Sequence, residues 1–492
     1  MSISMDCLFK NLDSWNPEGL RMVLNRAGFH RTALQTLGLP ENWLRSAAPR
    51  AALLGRSEQG SNLELLLRLF TLGDPLDGGV ALQLFGDVIH GLLEIGLLTA
   101  GSGQIRSRFQ ISPVKEGWMA CDFPERQCDP TGDYVMGVSP STLLLSSLTP
   151  VVGKRALELA SGIGWQSGNL VKAGMSVVAV DVNARALELG KFSARLCGID
   201  GIDFRLSDGF SAVQGETFDL IVANPPYVQS PGGGMIYKEA PVGESICARL
   251  LKQLPDFLEP GGIAVVILNW SHTSDDDWSE VPLSWVAERG VRRWLFQSDC
   301  SSPGDYAWRW ISTDLRFADD QAIIDEMRRW LTHYQQNGIN RISGGFLVLQ
   351  KCEPGDEWTR ADSRSPGDVD VRAGQDVLRV LNNQTWLNTD PDLLTTRYSV
   401  PDGIRSEVSM GLAKTGWERQ TIRLISPARL SYDGQIDENI LRLLALAAEG
   451  NPPLAMVEEV RSKPELAGIP DLEARITDLV RELVSHGMLV PC

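Results

Sequence analysis

Short apolar runs rich in β-branched residues alternate with helix-length stretches through the middle of the 492-residue chain. Arg155-Ala156-Leu157-Glu158-Leu159-Ala160, Ser176-Val177-Val178-Ala179-Val180-Asp181 and Phe218-Asp219-Leu220-Ile221-Val222-Ala223 each have the length and composition of a buried strand. A third strand region ends near Leu206-Ser207-Asp208, and Ile263 to Leu268 supplies a fifth strand after the turn Glu259-Pro260-Gly261-Gly262. Trp165 to Ala173 reads as a helix between the first two strands. Strands separated by helices predict an α/β domain with a mostly parallel, Rossmann-like sheet. Val291 to Phe296 and Gly345 to Leu349 are expected to close the sheet with antiparallel strands, and Asp319 to Gln336 between them has helical periodicity.

The flanks carry another pattern. Residues 1–130 are mostly helical, with apolar-rich stretches at Leu63 to Phe70 and Val88 to Leu98 separated by Gly, Pro and Asp. The end Gly96-Leu97-Leu98 followed by the strand-like Gln104 to Ser112 suggests a winged-helix-like arrangement. The middle domain is expected over 131–352, and residues 353–374, rich in Pro, Gly, Asp, Ser and Arg, read as a linker. Residues 375–492 are mixed, with strands expected at Glu407 to Met410 and Thr421 to Ile425. They end in a second winged-helix-like unit with helices at Glu438 to Ala448, around Ala455 to Ser462 and from Leu472 to His486, closed by a strand at Gly487 to Val490.

Composition narrows the function classes. The length suggests two to four domains. No apolar run reaches the roughly 20 residues of a membrane helix, and Met1-Ser2-Ile3-Ser4-Met5-Asp6 lacks the basic and apolar regions of an export signal, so a cytoplasmic protein is expected. Eight cysteines without a Cys-x-x-Cys pair read as free thiols, and five histidines outside ligand spacing argue against a structural metal. A formal net charge of −16 disfavours a nucleic-acid grip, which rests on neutralising phosphates, and favours protein or cationic small-molecule acceptors. With few basic residues in its recognition stretch, the first winged-helix-like unit suits packing or covering a substrate better than reading DNA.

The candidate chemistry sits at the carboxyl ends of the strands, where open α/β sheets bind ligands. Ser161-Gly162-Ile163-Gly164 is a glycine turn between the first strand and its helix, and Asp181 ends the second strand with an acid placed for a ribose diol. A glycine turn with a later acid is also the nicotinamide-dinucleotide signature. Glu158 just before the turn, and Ser167 in place of the fingerprint's third glycine, favour S-adenosylmethionine (SAM) instead. Asn224-Pro225-Pro226-Tyr227 follows the fourth strand. Its prolines remove backbone donors and leave carbonyls free, so Asn224 and a neighbouring carbonyl can accept the two protons of a planar NH2 group while Tyr227 lies on its face. A second copy, Asn451-Pro452-Pro453-Leu454, has neither a preceding strand nor an aromatic residue and reads as a loop.

With these motifs, residues 150–270 resemble a class I SAM-dependent methyltransferase of the HemK-like group, which includes release-factor glutamine N5-methyltransferases. The resemblance implies that Glu158, Gly162 and Gly164 line the methionine end of SAM. It places Asp181 and Val182 at the ribose side, Asp208 and Gly209 at the adenine, and Asn224, Pro225 and Tyr227 at the acceptor nitrogen. Asn224 also borders SAM, and Ala160 stands where the group usually has its first glycine. Asp133 to Pro140, Trp294 to Gln297 and Pro303-Gly304-Asp305-Tyr306-Ala307-Trp308 resemble a longer bacterial subgroup, in which Tyr134 and Pro140 would help complete the pocket, with Pro226 beside the acceptor. A protein glutamine amide leads as acceptor. The alternatives are a free amino acid or other small metabolite, including a guanidine, and adenine N6 of nucleic acid. A guanidinium acceptor would need carboxylates, for which Asp208, Glu239 and Glu244 are the candidates. Gln229 to Gly243, glycine-rich and polar, is read equally as a substrate lid or as an ordinary loop.

Overall fold

The computed structural model describes residues 8–32, 60–232, 236, 245–273, 278–314, 316, 319–363, 373–414, 416–428, 430–462 and 470–492. The apolar runs form one eight-stranded sheet: β1 Arg155–Leu159, β2 Ser176–Asp181, β3 Ile202–Leu206, β4 Phe218–Ala223, β5 Leu258–His272, β6 Val291–Ser301, β7 Arg341–Lys351 and β8 Thr359–Ser363. Their order across the sheet is β8-β6-β7-β5-β4-β1-β2-β3. Strands β1 to β5 run parallel, while β7 is antiparallel to both β5 and β6, as the closing strands were expected to be. This is the Rossmann-like sheet of class I methyltransferases, extended by one edge strand.

The pleat sends alternate side chains to opposite faces. Leu157, Leu159, Val178, Val180, Ile221 and Ala223 enter the core on one face. Ala156, Val177, Leu220 and Val222 enter the core on the other. Full burial of a Val or Leu side chain contributes about 1.5–3 kcal/mol, so the doubly covered strands account for the near-continuous apolar runs. The helices that matter for the site are α1 Pro140–Leu148, α2 Trp165–Lys172, α3 Ala184–Cys197, α4 Ile246–Gln253, α5 Pro303–Ile311, α6 Asp320–Gln336 and α7 Ala373–Leu387. Strand β1 pairs with β2 on one side and β4 on the other, so the chain reverses its winding there and opens a crevice at their carboxyl ends.

In the amino-terminal unit, helical Asn62–Leu66 and Leu67–Leu72 lead to a short strand Leu76–Asp77, then to helices Gly78–Phe85 and Val88–Glu94 and the hairpin Leu98–Gly101/Gln104–Ser107. The unit is not a separate body. Phe9 stacks on Phe192 of α3 at 4.7 Å, and Leu189, Phe192 and Leu196 belong to the same core as Trp15, Phe70 and Phe109. The buried carboxylate of Asp122 pairs with Arg185 at the start of α3, at 2.5 Å.

The expected linker holds structure. Its residues Thr359–Ser363 are β8, parallel to β6. Arg360 on that strand donates to Asp362 (2.7 Å) and to the Ser485 carbonyl (2.9 Å), and its guanidinium lies 5.2 Å from the Trp294 ring centroid. Trp294 Nε1 donates to the same Asp362 carboxylate at 2.7 Å. In the carboxy-terminal unit the expected strands fall within Arg405–Ala413 and Gly416–Ile425, which pair with Asp433–Ile436 as a three-stranded antiparallel sheet. The terminal strand expected at Gly487 to Val490 is shorter and later: Gly487 turns with φ of +67°, and only Val490–Pro491 pairs, with Tyr398–Ser399. Among the described residues no helix is long and apolar enough to cross a membrane.

Candidate active site

The turn after β1 is built from left-handed backbone. Ala160, Gly162 and Gly164 have φ of +52°, +54° and +73°. Left-handed conformation is free for glycine and costs an L-residue about 1–2 kcal/mol. Ala160 therefore preserves the turn geometry with backbone strain where the group usually has glycine. The end of β2 closes the turn, since Ser161 N–H donates to the Val180 carbonyl (3.0 Å) and Gly162 N–H to Asp181 Oδ2 (2.7 Å). The other Asp181 oxygen accepts from Asn183 N–H at 2.8 Å. Burial raises the Asp181 carboxyl above its ordinary value.

Glu158, one residue before the end of β1, is buried and its Oε2 accepts from Ser167 N–H (2.7 Å) and Ser167 Oγ (2.5 Å) on α2. Ser167 thus fills the position of a dinucleotide fingerprint's third glycine with a hydroxyl that holds the acid. Burial outweighs these donors and pushes the Glu158 carboxyl up to about 7.

These groups face a cavity of about 670 Å³. Tyr134, Glu158, Ala160, Gly162, Asp181, Val182, Asp208, Gly209, Asn224 and Pro226 all line it. Four expected site residues lie behind the wall. Gly164 is the left-handed cap of α2, and Pro140 opens α1 at its first turn. Pro225 is buried, and the Tyr227 ring stands edge-on to Trp310 at 6.4 Å. Glu239, Glu244 and most of the expected lid lie outside the described residues. Asp208, expected beside the adenine, lines the cavity, and Arg249 of α4 grips both its oxygens, at 2.7 and 2.9 Å. Those hydrogen bonds hold its carboxyl below the ordinary range.

Asn224 has a definite orientation. Its Nδ2 donates to Ser141 Oγ at 3.2 Å, and its Oδ1 is buried without a hydrogen-bond partner among the described residues. Ser141 and Arg249 escaped the sequence reading. Ser141 is one residue beyond Pro140 and looks like an ordinary first-turn serine. Arg249 looks like surface charge on an amphipathic helix. Helix α1 is itself held against α2, because Gln166 Nε2 donates to the Thr142 carbonyl (2.7 Å) and Trp165 Nε1 to Ser146 Oγ (2.8 Å).

Residues 139–277 match the family model described as "Methyltransferase small domain", and residues 379–491 match a "Domain of unknown function (DUF7782)". The chain is 30% identical over 143 residues to a release factor glutamine methyltransferase of Koribacter versatilis, covering 25% of this chain and 51% of that protein. It is 29% identical over 157 residues to a ribosomal protein uL3 glutamine methyltransferase of Bradyrhizobium diazoefficiens, covering 28% and 48%. It is also 29% identical over 127 residues to a ribosomal RNA small subunit methyltransferase C of Chromohalobacter salexigens, covering 26% and 35%. The chain spans about half the length of the first curated relatives it matches. Sheet order and glycine turn together with these matches make residues 139–277 a methyltransferase domain of class I fold, similar in sequence to the glutamine methyltransferases of the HemK-like group.

Proposed function

We propose that this protein is a SAM-dependent N-methyltransferase whose acceptor is a planar, conjugated NH2 group, with a protein glutamine side chain as the substrate. The observation that carries this reading is the buried Oδ1 of Asn224 in the cavity wall, without a hydrogen-bond partner among the described residues. A buried acceptor without a donor costs about 1–3 kcal/mol, and an incoming amide N–H recovers that loss.

The cavity fits SAM. Glu158 and Asp181 supply carboxylates for a cationic amino-acid end and a ribose diol, and Ser161 Oγ is a further buried polar atom without a partner among the described residues. When bound, SAM supplies an electrophilic methyl on a sulfonium, so the protein needs to align the nitrogen and exclude water. Asn224 and a neighbouring backbone carbonyl orient the nitrogen's protons in the plane of the amide, leaving its lone pair free to turn to the methyl. A neutral amide needs no strong base before attack, which agrees with a cavity lined by no histidine among the described residues. A guanidinium acceptor would call on carboxylates, and Asp208 is already committed to Arg249.

The glutamine methyltransferases among the relatives support a protein acceptor. The free state of every cysteine among the described residues suits a reducing, cytoplasmic setting. Incubating the protein with methyl-labelled SAM and separated pools of protein, RNA and small metabolites tests the reading. Label in protein as 5-N-methylglutamine is expected. Label confined to RNA would transfer the site to a nucleobase amine, and label confined to metabolites would make the flanking units walls of a small-molecule pocket.

A further inference from the structure

The two helices inserted between β6 and β7, α5 and α6, seize the chain just after Asn-Pro-Pro-Tyr. Gln229 is held at four points. Its N–H donates to Tyr306 Oη (3.1 Å) and its carbonyl accepts from Tyr334 Oη (2.6 Å). Its side-chain Nε2 donates to the carbonyls of Tyr227 (3.2 Å) and Asn269 (3.1 Å). Tyr306 Oη also accepts from Asn269 Nδ2 at 2.8 Å, which fastens α5 to the end of β5. Val228 is a member of the insert's own core with Tyr306, Ile311, Trp330 and Tyr334, and the two tyrosines are each 1% exposed.

This arrangement answers a physical need. Pro225 and Pro226 have no N–H, so the acceptor clamp cannot pin itself by backbone donors. The pinning comes from the next residues, where a partly buried, hydrogen-bonded network rigidifies what it holds. Gln229 also occupies the Tyr227 carbonyl, which removes that oxygen from competition for the incoming amide.

We propose that Gln229, with Tyr306 and Tyr334, is a positioning residue that fixes the acceptor clamp, and that the α5–α6 insert serves as its frame. This rests on the methyltransferase reading above. Gln229→Met keeps the shape and removes the side-chain donors, and Tyr334→Phe removes one hydroxyl from an otherwise unchanged ring. In each variant, amide hydrogen exchange over 224–232 in the S-adenosylhomocysteine complex should quicken at least tenfold, with exchange in β1 and β2 unchanged and the SAM Kd within twofold. With the labelled wild-type pool as acceptor, kcat/KM should fall at least tenfold at saturating SAM.

Unchanged exchange over 224–232, or kcat/KM within twofold of wild type, would overturn the proposal. So would a loss of SAM affinity in step with exchange across the whole sheet. If one variant does not fold, Tyr306→Phe, which frees the Gln229 N–H together with Asn269 Nδ2, gives the same readouts. Absence of wild-type label in every pool would sink the methyltransferase reading, whereas the exchange data would still decide whether Gln229 fixes the clamp.

Discussion

Ser141 Oγ accepts from Asn224 Nδ2 at 3.2 Å, so a helix ahead of the sheet determines which end of the Asn224 amide meets the acceptor. Without that acceptor the amide can rotate and present two donors to a substrate that is itself a donor. Ser141→Ala should lower turnover about tenfold, the equivalent of one ordinary hydrogen bond of roughly 1 kcal/mol with some loss of orientation. The SAM Kd, read by calorimetry, should stay within twofold, and Ser141→Thr should restore most of the rate. A Ser141→Ala enzyme as fast as wild type would remove Ser141 from the site.

Asn224→Ala and Asp181→Ala should separate the two halves of the cavity. The first should abolish transfer, by at least 100-fold, and leave SAM affinity within a few-fold. The second should weaken SAM binding strongly, since it removes both a diol acceptor and the carboxylate that receives the Gly162 N–H. Equilibrium binding beside initial rates distinguishes them, and the reverse pattern would exchange the assigned roles.

Glu158 gives a pH dependence with a defined sign. Its folded-state value near 7 lies above the unfolded carboxyl value of about 4.3. The stability it contributes is complete below about 4.3 and is lost as pH rises toward 7. SAM binding should run the other way, because a cation beside Glu158 favours the ionised acid. Affinity should rise with pH, by up to about tenfold per unit below 7, and level off above it. Asp181, also raised by burial, contributes in the same direction. Calorimetry in buffers of different ionisation enthalpy should detect proton release on binding, diminished in Glu158→Gln. An affinity flat from pH 5 to 8 would contradict this.

Ala160→Gly should stabilise the protein. Relief of the left-handed strain, about 1–2 kcal/mol, is partly offset by glycine's larger unfolded-state entropy of about 0.5–1 kcal/mol. A net gain of roughly 0.5–1 kcal/mol should appear as a higher denaturant midpoint. A lower midpoint would show that the alanine methyl makes a packing contribution larger than the strain.

The sheet was readable in the sequence because its strands are buried on both faces and show as apolar runs with little polar interruption. The glycine turn and Asn-Pro-Pro-Tyr were readable because backbone conformation there restricts residue type. Strand β8 was hidden: Thr359-Arg360-Ala361-Asp362-Ser363 is polar, since it is an edge strand with much of its surface in water. Ser141 and Arg249 were hidden for another reason. Their meaning lies in partners 83 and 41 residues away in the chain, and neither spacing nor composition announces such a pairing. Tyr227, legible as a clamp residue, stands against Trp310 of an insert whose sequence says nothing about what it holds.

The contacts of Arg360 have a consequence for how such a protein can change over evolutionary time. A side chain that ties an edge strand to Trp294 on one side and to the last helix on the other makes the tail a structural partner of the enzyme domain. Recombination that spliced a new tail at residue 352 would strip β6 of its outer neighbour and expose a bare edge to aggregation. Descent as a single heritable unit, with insertions confined to loops, is the route that such stitching leaves open.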